Sequence, residues 1–147
     1  MENTIIDDIS KKATDVRKEW SETVDTVVRD KPVFVSRTHD NIVMINVETM
    51  KLAFSWVKYS IELTKEKDGS YTGTLCELDL VENADSKNGC IETLVNAIKE
   101  YAIDYYAEFS LWSTAPNTKK HLPYVLKALY SSDDEIREAM ICHDGKI

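Results

Sequence analysis

The sequence predicts an α+β chain of two units in series, and three observations carry that reading. Apolar residues recur at helical spacing in separate stretches, most clearly from Ile91 to Phe109. Runs rich in β-formers pair twice around short polar turns, at residues 38–41 and 65–69. The chain of 147 residues also holds only four Gly and three Pro. That is too few for a collagen-like or low-complexity chain, and a 43% apolar share argues against disorder.

In the first unit, residues 1–56, Val16, Trp20, Val24, Val27 and Val28 lie about four apart and predict one helix from Asp15 to Arg29, with Thr14 or Asp15 as its N-cap. Upstream, Ile5, Ile6, Ile9 and Ala13 fit either an extension of that helix or a short strand. Pro32 closes the helical region. Val33–Arg37 and Ile42–Ile45 then read as a hairpin around Thr38-His39-Asp40-Asn41. Asn46 is placed to cap a helix running on to Trp56.

In the second unit, residues 57–147, Tyr59–Leu63 and Tyr71–Leu75 flank a turn at Lys65–Gly69, and Leu78–Val81 can add a third strand. A helix starting at Asp85 or Ser86 carries Ile91, Leu94, Val95, Ile98, Ala102, Tyr105 and Phe109 on one face. Trp112 to Lys120 reads as a loop. A helix pair follows, Tyr124–Tyr130 and Ile136–Ile141, with Pro123 in a first turn and Ser132 and Glu135 at capping-box spacing.

Charge and motif content narrow the function. Eighteen basic against 26 acidic residues leave a net charge of −8, so any nucleic-acid binding must come from a local patch. Cys76, Cys90 and Cys142 have no metal-ligand spacing and read as reduced thiols buried as small apolar groups. No nucleophile, phosphate-loop or metalloprotease signature surrounds His39, His121 or His143. Glu77 and Asp79, two apart on a possible strand, would share a face and could hold a divalent ion for hydrolysis, but such a pair is ordinarily a solvated strand face. No enzyme activity, catalytic residue, cofactor or metal is therefore expected. No apolar stretch approaches the roughly 20 residues that span a bilayer, and the first residues lack a secretory signal's pattern. A soluble, cytoplasmic protein with no membrane partner is expected.

The run Val16-Arg17-Lys18-Glu19-Trp20-Ser21-Glu22-Thr23-Val24-Asp25, then Lys31-Pro32-Val33-Phe34-Val35-Ser36-Arg37, the return Ile42–Ile45 and the capped helix at Asn46–Met50 resemble the Phd/YefM (prevent-host-death) antitoxin family over residues 10–56. Two features depart from that family: the turn lacks its usual Gly pair, and the segment before the helix is longer. Less extensively, Tyr59–Leu63, Asp68–Leu78 and the Ala84-Asp85-Ser86 entry to the long helix resemble HicB-like antitoxin domains over residues 58–110, with Cys76–Leu80 where those have a Pro-Asp-Leu-Pro-Gly element.

The resemblance implies a Phd/YefM-like dimerisation unit (helix, β-hairpin, helix) followed by a small HicB-like antiparallel sheet with helices and no nuclease activity. It implies an antitoxin of a type II toxin-antitoxin system that neutralises a cognate toxin and binds its own operator DNA as an autorepressor. It also implies a homodimer, and room for a higher oligomer. Carried over, the DNA-binding candidates are Lys11, Lys12, Arg17, Lys18, Arg37, Thr38 and His39. Between Ser10 and Asp40 seven Lys/Arg face six Asp/Glu, so that region is neutral within an acidic chain. The aromatic residues Tyr105, Phe109 and Trp112 read as core packing or, alternatively, as a toxin groove. The rival reading is a protein-interaction module that keeps the antitoxin fold without DNA binding. Apolar Trp20, Val33 and Val35 are expected to exceed what so small a unit buries alone, and so to pair two copies.

Overall fold

The computed structural model describes residues 3–144. These are divided between two compact units, residues 1–53 and 54–147. The described residues form eight α-helices and two small sheets, a mixed α+β architecture.

In the first unit Ile5, Ile6 and Ile9 neither extend the following helix nor form a strand, but make a separate short helix. Helix α1 (Ile5–Ile9) is followed by a two-residue strand β1 (Lys11–Lys12). The single helix expected from Asp15 to Arg29 is instead two, α2 (Ala13–Lys18) and α3 (Trp20–Arg29). They part at Glu19, whose backbone leaves the helical region at φ −110 and ψ 34. The N-cap of α2 is Lys12, so Thr14 and Asp15 lie inside the helix and do not cap it.

β2 (Val33–Arg37) and β3 (Asp40–Met44) form the hairpin, with Arg37 opposite Asp40. Its turn is only Thr38 and His39; Asp40 and Asn41 belong to the strand. β1 pairs parallel to β2, giving the order β1-β2-β3. Asn46 Oδ1 accepts from the Glu48 N–H at 2.9 Å and caps α4 (Val47–Ala53), which stops short of Trp56. The core of this unit is Val16, Val33 and Val35, with Ala13, Val27 and Met44 packed on it. Val33 and Val35 are therefore consumed inside the unit, contrary to the expectation that they face a second copy, whereas Trp20 remains 55% exposed.

The second unit is a four-stranded sheet under helices. β4 (Tyr59–Lys65), β5 (Tyr71–Leu75) and β6 (Leu80–Ala84) form an antiparallel meander. Gly69 makes the first turn with φ +90, a conformation that costs glycine little. Alternate residues of β4, namely Tyr59, Ile61 and Leu63, enter the core. There they meet Leu94, Val95, Ile98 and Tyr105 of α5 (Lys87–Ala107). Ser86 caps α5, its hydroxyl accepting from the Gly89 N–H at 3.0 Å. Gly73 lets this helix approach the sheet, because a Cβ there would lie 2.7 Å from Leu94 Cδ1 and 2.8 Å from Cys90 Sγ.

The expected loop at Trp112 is in fact the end of helix α6 (Phe109–Thr114). A 3-10 turn (Lys119–His121) leads to α7 (Leu122–Tyr130) and α8 (Asp133–Glu138). The Ser132 and Glu135 capping box is formed. The helix expected to reach Ile141 ends at Glu138, and the chain returns as β7 (Met140–Asp144), parallel to β4 at the sheet edge. The order is β6-β5-β4-β7.

Candidate functional site

The basic candidates gather around one end of the small sheet. Because β1 runs parallel to β2 with Lys12 opposite Ser36, the two lysines lie alongside the strand end that carries Arg37 into the turn. The Ser36 hydroxyl donates to the Lys11 carbonyl at 3.5 Å. Thr38 holds the left-handed backbone region at φ 52, rare and mildly strained for a residue with a branched Cβ, and His39 follows at the exposed turn tip. Lys11 and Lys12 are thus strand residues, and Lys12 is also the N-cap of α2. Arg17 and Lys18 sit in the last turn of α2, at the negative end of that helix's dipole. All five cations are exposed, and among the described residues none forms an ion pair.

On the same unit, Ala13, Val16, Trp20, Val35, Ile42 and Met44 line an open apolar groove with Arg17. Trp20 and Ile42 are 55 and 49% exposed in this groove, beside a core of three buried residues, while Val43, 46% exposed, lies on the opposite face of β3. Sequence reasoning missed Ile42 and Val43 as surface residues; the alternation of β3 was its only available signal.

In the second unit the aromatic candidates separate. Tyr105 is fully buried and its hydroxyl donates to the Thr118 carbonyl at 3.0 Å, so it is a core residue and lines no surface groove. Burial raises its phenol pKa above the ordinary value. Phe109 packs edge-on against Tyr105 with ring centroids 5.8 Å apart, and Trp112 lies within 5.6 Å of both Tyr101 and Tyr105. Trp112 also borders a shallow apolar depression with Leu111, Ala115 and Thr118.

The carboxylates Glu77 and Asp79 share no strand face. They lie in the turn between β5 and β6, where both Glu77 oxygens accept from the Ser60 N–H, at 3.0 and 2.9 Å, and Asp79 has φ 55. Among the described residues no group of three His, Cys, Asp or Glu could hold a metal ion. The three cysteines are free, but only Cys90 is buried; Cys76 and Cys142 are exposed, contrary to expectation. Among the described residues no helix is long and apolar enough to cross a membrane.

His121 is the unexpected titratable group. It is 3% exposed, its Nδ1 lies 2.5 Å from the Tyr101 hydroxyl, and its Nε2 is 3.8 Å from Asp79 Oδ2 without a hydrogen bond. Burial, helped by Lys120, lowers its pKa below 6.5 despite the opposing pull of Asp79. The folded state therefore disfavours the imidazolium, so protons bind the unfolded chain first as pH falls through 6.5. Denaturant melts at pH 7.5 and 5.5 are expected to show the second unit losing stability on acidification. A His121→Gln variant should lose less; equal losses would exclude His121 as the cause.

Comparison with known proteins bears on these surfaces. A family model named PHD_like, described as "Antitoxin of toxin-antitoxin, RelE / RelB, TA system", matches residues 9–142. A crystal structure from Syntrophomonas wolfei subsp. wolfei, described as the antitoxin part of a proposed toxin/antitoxin system, is 38% identical to the chain. It aligns over 92% of this chain and 98% of its own with a TM-score of 0.87. No curated protein matches the chain.

Proposed function

The chain belongs to the PHD_like antitoxin family, and from that premise we propose that it binds its own operator as a homodimer while neutralising a cognate toxin. In this reading the first unit, of the Phd/YefM type, pairs two copies and meets DNA, and the second, HicB-like unit meets the toxin. One observation carries the DNA half: Lys11, Lys12 and Arg37 surround the exposed Thr38-His39 turn, and among the described residues none of the three forms an ion pair, although Asp40 stands opposite Arg37 in the hairpin. Pairing two copies doubles that patch, as phosphate binding by an otherwise acidic protein requires. Arg17 and Lys18 extend it along α2 as plain charges.

The mobility shift of the chain's upstream DNA, titrated at low salt, tests this. Arg37→Ala should weaken operator binding by about 1–3 kcal/mol if its guanidinium reads a base, and relax the preference over random DNA. Lys12→Ala should weaken both DNAs alike and flatten the salt slope by roughly one. The rival, a protein-interaction module without DNA binding, draws on the net charge of −8. No shift at micromolar protein would decide for it.

A further inference from the structure

Helix α5 has a second apolar face. Leu94, Ile98, Ala102 and Tyr105 fill the core, while Ile103 and Tyr106, one turn apart, are 62 and 66% exposed. Ala107 lies exposed beside them, four residues after Ile103. Solvated helix faces are normally charged, and adjacent large apolar groups left in water mark a surface that something covers.

The charges along this face select the occupant. Glu100, Asp104 and Glu108 follow at four-residue steps, all exposed, and among the described residues none has a cation within ion-pair distance. The neighbouring Lys99 is engaged by Asp133 at 2.6 Å. A second copy of this chain would set three carboxylates against three, in a molecule of net charge −8. A nucleic-acid backbone is repelled for the same reason. A partner with an apolar ridge flanked by Lys or Arg matches both features at once.

We propose that this outer face of α5, with Ile103 and Tyr106 as anchors and Glu100, Asp104 and Glu108 as its charged edge, is the docking surface for a cationic, apolar-ridged segment of the cognate toxin. The inference rests on the antitoxin reading and adds the surface and the chemistry of the contact. Apolar anchors supply affinity there, and the carboxylates supply orientation and association rate.

The test uses the full chain and, as probe, the tagged product of the neighbouring reading frame, measured by biolayer interferometry with melts of every variant. Ile103→Arg should weaken binding by about 30-fold or more, as loss of an anchor does, with an unchanged melt because the side chain is exposed. Should Ile103→Arg also lower the melt, Tyr106→Glu replaces it. Glu100→Lys combined with Asp104→Lys should slow association and remove its salt dependence. Tight wild-type binding that survives both anchor variants overturns the face while leaving the antitoxin reading intact. Failure of the wild type to bind the probe counts against the antitoxin reading itself. Light scattering in which Ile103→Arg halves the oligomer would make the occupant a second copy, and would equally overturn the proposal.

Discussion

Tyr105→Ala is expected to destabilise the second unit by about 3–5 kcal/mol, the range for emptying an aromatic site in a packed core. For a unit of this size that is a fall in Tm of roughly 15–30 °C. The side chain is fully buried, touches the rings of Phe109 and Trp112, and ties α5 to the chain after α6 through Thr118. Tyr105→Phe separates the contributions, since it keeps the ring and leaves the Thr118 carbonyl without its donor. That variant should cost about 1 kcal/mol. Urea melts measure both, and a Tyr105→Ala protein melting like the wild type would remove the residue from the core. Loss of toxin binding in Tyr105→Ala would accordingly reflect unfolding and not a lost contact.

The second large effect is expected from Ile42→Asp. Among the described residues the apolar core of the first unit is Val16, Val33 and Val35, each 5% exposed, while Ile42 stands half exposed at the apolar groove beside Trp20. Small units gain little from their own cores, so pairing two grooves supplies the missing burial in the proposed dimer. A carboxylate placed in that seam would need a partner or remain in water. Dimer association should weaken by about 2–4 kcal/mol, the range of a central interface residue. Sedimentation at micromolar concentration should then show monomer for Ile42→Asp and dimer for the wild type, with operator binding lost alongside. A monomeric wild type would sink the homodimer.

Much of the local structure was legible in the sequence. Asn46, Ser86 and the Ser132–Glu135 pair announce helix starts because a short polar side chain can satisfy a free amide there. The α5 stripe is visible because one face meets one core. What escaped has identifiable causes. The break at Glu19 falls at a good helix former, and hydrogen bonds from Glu19 N to Asp15 O and from Thr23 N to Glu19 O carry the helical pattern across it. β7 follows α8 directly, and Ile136, Met140 and Ile141 fit helical spacing as well as a strand does. Its pairing partner lies far away in the chain, which local pattern does not name. The strand at Lys11 and Lys12 escaped because two residues have no period. At Asp79 the left-handed backbone, invisible in residue type, removes the shared face that alternation had implied.

The parallel pairing of β7 with β4 sets an order on biosynthesis. Tyr59 waits for Met140, and Leu63 for Asp144, so the sheet keeps an open edge at its most buried strand until residue 144 has been translated. The strand pairings of the first unit all lie before Ala53. Its pairing segments are therefore all present on the ribosome while its successor is still being made. Translation arrest between residues 53 and 140 would then release chains with a folded first unit and an unfinished sheet, a product poised for proteolysis.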